Sequence, residues 1–177
     1  MTLLALVLAT AQTALVFVPA QTDAEAWVNY SPPDKSFTVR LPRWPHYTTG
    51  RLDYEKDGLF KGNTHGDGYD FSPNVSGTVA GIFVYHLRRP KSQRQFIKEC
   101  DDIMLVVGGD DKESLTHKSV SVNGMSGREY FYTKGDIRGR VLVINGRRRI
   151  FFLQYHTEAD SLPDFVKTVF NSFRPKR

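Results

Sequence analysis

The sequence predicts an α+β fold: an α/β/α sandwich whose largely antiparallel central sheet is covered by a helix on each face. Two Asn-Gly pairs, at 123–124 and 145–146, stand between apolar segments, and two-residue Asn-Gly loops favour hairpins with type I′ turns. Three segments are apolar at almost every position, namely Val79–Leu87, 141–144 and 150–155. Such strands are normally covered on both faces, and two amphipathic helical patterns are available to cover them.

The first two predicted strands, 27–30 and Phe37–Leu41, flank a turn set by the prolines and the aspartate of 31–35. In the second strand apolar and polar residues alternate, so one of its sides is expected to face solvent. Residues 47–54 show a less regular strand pattern and are predicted as a further strand.

Residues 57–77 carry five of the chain's 14 glycines and are predicted to form one long irregular connection. The segments on both sides of it have strand patterns. Phe60 lies inside this connection, so its replacement by Ala is expected to be mild unless the loop packs as a lid.

Two helices are predicted. The first begins at Ser92, because Gln95 completes a capping box, and ends at the glycines 108–109. The second begins near Ser161 and ends at 174–175. Helical spacing of apolar residues supports both, with Phe96, Ile97, Cys100, Ile103, Met104 and Val107 in the first and Phe165, Val166, Val169, Phe170 and Phe173 in the second.

The two hairpins are predicted to pair 118–122 with 125–132 and 140–144 with 147–155. A two-residue loop in the second hairpin would place Ile144 opposite Arg147. The chain of 177 residues therefore provides the elements of one domain, predicted to span 27–175.

Residues 1–20 contain no charged side chain and are interpreted as a signal peptide. Small residues at 18–20 and 24–26 suit cleavage, which could therefore extend to residue 26. The segment lacks the Lys or Arg that normally opens a secretory signal, and an uncleaved anchor is the alternative. Either outcome exports the remaining chain to the periplasm or the extracellular space.

Cys100 is the only cysteine, which excludes a disulfide framework and makes a disulfide-linked partner unexpected. It lies on the apolar side of the first predicted helix, and no neighbouring base accompanies it in the sequence. It is therefore interpreted as a buried thiol that acts as a small apolar side chain.

Motifs of known catalytic and nucleotide-binding classes are missing from the sequence. There is no Gly-x-Ser-x-Gly elbow, P-loop, dinucleotide fingerprint, His-Glu-x-x-His or EF-hand loop. The aromatic residues lie within apolar runs rather than on a stacking platform, which argues against nucleic-acid binding. The sequence predicts no enzymatic activity and no cofactor.

A metal site is considered in the 57–77 connection. His65, Asp67 and Asp70 combine one imidazole and two carboxylates with a glycine-rich backbone that could wrap a divalent cation. A Gly-Asp-Gly stretch is equally typical of a solvated loop, so no ligand set is assigned. His86 and His156, at the ends of apolar runs, are interpreted as structural histidines.

Positive charge is concentrated in two segments of a chain whose formal net charge is +5. One segment, which includes Arg88 and Arg89, precedes and enters the first helix. In this segment Lys91, Arg94 and Lys98 are predicted to share one helical stripe. The other follows the second Asn-Gly turn, where three consecutive charges could not be buried at acceptable cost, so the hairpin tip is expected to project. The predicted binding surface consists of Arg94, Lys98, Arg147, Arg148 and Arg149.

Both ends of the domain carry sets of residues that resemble PsbP-like domains. The opening set is Trp27, Tyr30, Ser31, Pro32, Asp34, Phe37, Val39, Leu41 and Pro42, and the closing set comprises 139–147, 150–155 and 171–173. Lys35 stands where that family usually has Gly. The resemblance covers 27–175 and implies the PsbP-like α/β/α sandwich, here of a bacterial exported member. It implies no activity; the photosystem II members of the family bind and stabilise a membrane complex.

The sequence as a whole predicts a non-catalytic exported module that binds a protein or an anionic envelope surface. The alternative is a small-ligand or metal-binding domain that uses the 57–77 connection. The identity of the protein partner or ligand is not specified by any motif.

Overall fold

A computed structural model of the chain describes residues 27–50, 60–73, 77–108 and 115–176. The predicted signal segment at 1–20, with its second cleavage site at 24–26, lies outside these residues. The same holds for parts of the predicted connection, 57–59 and 74–76. Among the described residues, no helix is long and apolar enough to cross a membrane.

Ten strands and two helices lie in the described residues. The strands are β1 (Val28–Tyr30), β2 (Phe37–Leu41), β3 (His46–Gly50), β4 (Asn63–Asp70), β5 (Val79–Leu87), β6 (Leu115–Val122), β7 (Met125–Lys134), β8 (Ile137–Asn145), β9 (Arg149–Thr157) and β10 (Arg174–Pro175). The helices are α1 (Gln93–Gly108), between β5 and β6, and α2 (Asp164–Ser172), between β9 and β10.

Seven of these strands form one sheet in the order β3-β4-β5-β9-β8-β7-β6, and every neighbouring pair is antiparallel. β2 pairs with β1 and β10 in a separate three-stranded sheet. The predicted α+β class with a largely antiparallel sheet is confirmed. The separate small sheet was not expected, because hydrophobic alternation identifies a strand but not the sheet that it joins.

The core consists of two clusters that draw alternate residues from the same strands. In β9, Phe151 and Leu153 belong to the first cluster, whereas Ile150 and Phe152 belong to the second. The first cluster includes Phe37, Val39 and Leu41 of β2 with Val166, Val169 and Phe170 of α2, and the second includes Phe96, Cys100, Ile103 and Met104 of α1. This alternation follows from the period of two along a strand.

The capping box predicted at the start of α1 is confirmed. The backbone N–H of Ser92 donates to the side chain of Gln95, and the N–H of Gln95 donates to the Ser92 hydroxyl, both at 3.3 Å. α2 begins at Asp164, three residues after Ser161, because Pro163 occupies the N-cap in extended backbone.

The first Asn-Gly hairpin has the predicted register. Asn123 and Gly124 both have positive φ angles, 50° and 70°, as a type I′ turn requires. Val122 lies opposite Met125 at the end of the ladder. This hairpin joins β6 and β7 as expected.

The predicted register of the second hairpin is wrong. Ile144 lies opposite Phe151, not opposite Arg147. The positive φ angle, 69°, belongs to Arg147 rather than to Asn145. The Asn145 side chain explains the difference, because its Oδ1 accepts a hydrogen bond from the backbone N–H of Arg147 at 3.2 Å and so favours another turn.

The prediction of one irregular connection at 57–77 is wrong in its central part, which is strand β4. This strand pairs with β3 on one side and β5 on the other. Gly68 in this strand allows close packing, because a Cβ atom on it would lie 2.7 Å from Thr48 Oγ1. Phe60, just before the strand, is fully buried in the second core cluster, so the expectation of a mild Phe60→Ala substitution loses its basis.

Candidate functional site

A His–Asp–His cluster, formed by His65, Asp67 and His86, lies on one face of the β4–β5 pair. His65 and His86 are opposite each other in the ladder. Asp67 follows His65 by two residues and therefore points to the same face. One potential ligand atom from each residue lies within 4.8 Å of the other two. The antiparallel pairing thus assembles three metal-ligating side chains that are up to 21 positions apart.

Hydrogen bonds fix the carboxylate of this cluster. His86 Nε2 lies 2.9 Å from Asp67 Oδ2, and the Tyr47 hydroxyl on β3 donates to Asp67 Oδ1 at 3.0 Å. The two imidazole rings are stacked, with centroids 3.9 Å apart and planes inclined by 9°. The cluster and its hydrogen-bond partner Tyr47 together involve three neighbouring strands.

The protonation state of His86 is set mainly by its partial burial. Burial lowers the pKa of His86 below its ordinary value, and the hydrogen bond to Asp67 opposes this without reversing it. Electrostatic interactions with His65 and Arg149 lower the pKa further. His86 is consequently neutral at pH 7, the form in which imidazole binds metals.

Two of the three residues considered as metal ligands in the sequence come together, and the third does not. His65 and Asp67 belong to the cluster. Asp70 is exposed at the other end of β4, where its Oδ1 accepts a hydrogen bond from the backbone N–H of Ser72 at 2.7 Å. The sequence interpretation missed His86 as a cluster member, because only the β4–β5 register places it beside His65.

The predicted basic hairpin tip is exposed at Arg147 and Arg148. Arg149 differs, since it is the first residue of β9, is partly buried and lies opposite His86. Its guanidinium is 3.6 Å from the carboxylate of Asp34 in the β1–β2 turn. The three arginines therefore do not form one uniform patch.

The structure brings a second basic segment to this tip. The backbone N–H of Leu87 donates to the carbonyl of Arg148 at 2.8 Å, and Arg88 and Arg89, which follow Leu87, are exposed. Neither Arg88 nor Arg89 was among the predicted surface residues. Two segments that lie 60 positions apart in the sequence thus meet at one end of the sheet.

Arg94 lies at the same end, in the first turn of α1. Its neighbour Gln93 accepts a hydrogen bond from the Ser126 hydroxyl at 2.5 Å, at the start of β7. Arg94 is exposed, like the arginines of the two segments. We call this surface the basic end; it consists of Arg88, Arg89, Arg94, Arg147 and Arg148. None of these five arginines forms an ion pair with another described residue.

Lys98 is less available than predicted, because its ammonium pairs with Asp102 at 2.7 Å one turn along α1. Both side chains are largely exposed, so the pair is a surface ion pair. Lys91 precedes the helix instead of sharing its stripe, and it contacts Glu99 at 2.7 Å while being mostly buried. The positive charge of this region that is not paired with a described carboxylate therefore comes from the arginines.

A charge network around the buried Glu129 links β6, β7 and β8 and includes Arg140 of the strand that precedes the tip. Arg140 donates from Nε and Nη2 to Glu129 Oε1 at 2.8 and 2.6 Å, and Lys118 reaches Glu129 Oε2 at 2.8 Å. Burial alone would raise the pKa of Glu129, but the bonds from Lys118 and Arg140 outweigh it and hold this pKa below its ordinary value. Arg140 is therefore occupied within the fold.

The interpretation of Cys100 as a buried apolar thiol agrees with its surroundings. The side chain is almost fully buried in the second core cluster. Burial raises the pKa of the thiol well above its ordinary value, and the nearby Asp101 and Glu99 add to this. The thiol remains protonated at neutral pH and is a poor nucleophile.

Comparison with solved structures relates this architecture to a known fold. The chain is similar to the solution structure of cyanobacterial PsbP (CyanoP) from Synechocystis sp. PCC 6803, with a TM-score of 0.53 and 13% sequence identity over 88% of this chain and 96% of that chain. The chain has a PsbP-like fold. No protein-family model matches the chain, and no curated protein matches it.

The PsbP-like likeness confirms, at the level of the fold, the resemblance seen in the first hairpin and in the closing hairpin and helix. At 13% identity it carries over no ligand and no partner. One departure from the usual family pattern has a structural counterpart: Lys35 has a φ angle of 52°. This is the left-handed region, which glycine adopts at the least steric cost.

Proposed function

We propose that this PsbP-like domain is a non-catalytic exported module that docks onto an acidic protein surface through its basic end. The observation that carries the proposal is the convergence of five exposed arginines without carboxylate partners among the described residues. Unpaired cations at one end of a domain steer and orient an acidic partner. The PsbP-like resemblance, whose photosystem II members bind a membrane complex, also favours a binding role.

One feature favours an acidic protein over an anionic membrane. Stable membrane attachment benefits from inserted apolar side chains. The exposed large apolar residues of the described chain lie elsewhere, namely Trp44, Tyr47, Val79 and Ile137.

Export and the finer architecture belong to the same proposal. The charge-free segment at 1–20 supports export to the periplasm or the extracellular space. We infer further that α1 and α2 each cover one face of the seven-stranded sheet. The alternation of β9 residues between the two core clusters supports this sandwich, because consecutive strand residues point to opposite faces.

The test measures binding of fluorescently labelled polyglutamate as a defined acidic probe. Saturable binding at low salt is expected, and it should weaken steeply as salt approaches physiological strength, where the Debye length is about 8 Å. The double variant Arg147→Ser/Arg148→Ser is expected to lose about tenfold or more in affinity, because roughly 1 kcal/mol per arginine is an ordinary contribution of such contacts.

A charge-matched control separates local from overall electrostatics. Lys134→Ser/Lys167→Ser removes the same charge from exposed positions outside the basic end and should leave the affinity within about twofold. Equal losses in both double variants would contradict a defined docking surface. Binding to phosphatidylglycerol vesicles without binding to polyglutamate would assign the basic end to a membrane and overturn the acidic-protein proposal.

A further inference from the structure

We propose that His65, Asp67 and His86 form a binding site for a divalent first-row transition-metal ion, with zinc as the ion to test. The side chains come from two neighbouring strands and place their ligand atoms within 4.8 Å of one another. The docking function proposed above neither requires this site nor implies it.

The donor set determines the class of metal. Two imidazole nitrogens and one carboxylate oxygen suit zinc and its neighbours in the first transition row. Calcium and magnesium prefer six or more oxygen ligands, and this cluster offers a single carboxylate. Three protein ligands leave the fourth tetrahedral position of zinc to water. The Asp70 carboxylate, considered in the sequence as a ligand, is not needed for this set.

The empty cluster must contract to hold zinc. At Zn–N distances of about 2.0–2.1 Å, two tetrahedral ligand atoms lie about 3.3 Å apart, which is closer than the 4.8 Å within which the three ligand atoms lie here. The stacked rings, inclined by only 9°, cannot both point at one ion. Rotation of the His65 ring relieves both constraints, because Asp67 and His86 are already 2.9 Å apart.

Hydrogen bonds next to the cluster prepare the ligand atoms. The Thr64 hydroxyl donates its proton to the carbonyl of His86 at 3.2 Å. Its oxygen, 3.3 Å from His65 Nδ1, can therefore accept the Nδ1–H, a tautomer that leaves Nε2 of His65 available to a metal. The Tyr47 hydroxyl holds Asp67 Oδ1 and thereby orients Oδ2, as outer partners of metal ligands commonly do.

The surrounding charges allow a cation. Arg149 is opposite His86 in the ladder and opposes a metal by repulsion, but its guanidinium faces the Asp34 carboxylate at 3.6 Å.

The test titrates zinc into the full chain, prepared without a polyhistidine tag, in competition with a chromophoric chelator. One zinc ion per chain is expected, and His65→Ala and His86→Ala should each weaken its binding about tenfold or more. Cobalt(II) provides a second readout, since a tetrahedral site gives intense visible absorption bands that should disappear in both variants.

Matched substitutions of other possible ligands serve as controls. Asp70→Asn removes a carboxylate from the same strand, and His46→Gln removes an exposed imidazole from β3; both should retain wild-type zinc affinity. Circular dichroism verifies the fold of each variant. If His86→Ala does not fold, the zinc affinity of His65→Ala provides the test, because His65 is partly exposed and its replacement should disturb the fold less. Wild-type zinc affinity in folded His65→Ala would overturn the proposal, as would a wild-type chain that binds no zinc.

Discussion

His156 shows how partial burial favours the neutral form of a histidine. The Tyr132 hydroxyl contacts Nδ1, and Nε2 lies 3.1 Å from Gln154 Oε1. An Nε2–H that donates to the amide oxygen leaves Nδ1 to accept the phenolic proton. Burial lowers the pKa of His156 below its ordinary value, and burial raises the pKa of Tyr132 to about 12.

This arrangement predicts a loss of stability in mild acid. The unfolded chain binds a proton at His156 near its ordinary pKa of about 6.5, whereas the folded chain binds it only at lower pH. The free energy of unfolding should therefore be highest above pH 6.5 and fall as the pH decreases below it. Urea unfolding between pH 7.5 and 5.5 measures this slope, which His156→Gln should reduce.

The variant His46→Gln, at an exposed position, controls for the effect of a His-to-Gln substitution itself. An unchanged slope in His156→Gln would contradict the assignment to His156. The structural role that the sequence predicted for this histidine follows from its place at the end of an apolar run. Its partner Tyr132 could not be predicted, because only the strand register brings it to His156 through Gly139.

Strand β4 shows that a segment with the composition of a loop can form an interior strand of a sheet. Glycines and polar residues in 57–77 are typical of a loop, yet Asn63–Asp70 is an interior strand of the sheet. Gly68 supplies backbone at a place where neighbouring side chains need room, such as Phe83, whose ring would lie 3.4 Å from a Cβ on Gly68. Glycine occurs both in closely packed strands and in flexible loops, so its presence in a sequence does not distinguish a strand from a loop.

Phe60 anchors the start of this strand, which yields a prediction opposite to the sequence-based expectation. Its side chain is fully buried, and its ring centroid lies 5.3 Å from that of Tyr85 on β5. Phe60→Ala should lower the free energy of unfolding by about 3–5 kcal/mol, measured by urea denaturation. Val79→Ala removes an apolar side chain that is 50% exposed and should cost less than about 1 kcal/mol. Similar small losses in both variants would mean that Phe60 does not belong to the core.

The two Asn-Gly pairs demonstrate the limit of a dipeptide signal. Asn123 and Gly124 adopt the type I′ turn that the signal predicts. At the second pair, the Asn145 side chain binds the backbone of Arg147 and the loop becomes longer. The existence of both hairpins was predictable from hydrophobic runs on either side of a turn signal. The loop length was not, because it depends on a single side-chain hydrogen bond.

For the whole molecule, the sequence patterns predicted the α+β class because nearly every strand and helix carries its own periodicity. The candidate sites were only partly predictable. His65 and Asp67 were identified, but His86 required the β4–β5 register. Arg147 and Arg148 were identified, but their neighbours Arg88 and Arg89 required the contact between β5 and the hairpin tip. A site assembled from segments that are distant in the sequence can be identified only when the topology is known.

The same topology places the proposed metal site beside the basic end. His86 lies opposite Arg149 in the ladder, and residues in such cross-strand pairs have Cβ atoms about 4.5–5.5 Å apart. Arg147 and Arg148 precede Arg149 by one and two residues, at most about 3.8 Å per residue along the chain. A bound ion and the basic tip would therefore lie within or near one Debye length, about 8 Å at physiological ionic strength.

If both proposals hold, zinc should strengthen polyglutamate binding, because the ion adds positive charge next to the docking surface. With screening over such distances, the gain in affinity should be roughly two- to fivefold at physiological salt and larger at low salt. Linkage requires polyglutamate to tighten zinc binding by the same factor.

Fluorescence titration of the wild type with and without saturating zinc measures the effect. The His86→Ala variant, at the same free zinc concentration, corrects for zinc that binds to polyglutamate itself. The prediction is contradicted if the wild type binds zinc but gains no more affinity for polyglutamate than His86→Ala does. The charge of the metal would then not contribute to docking.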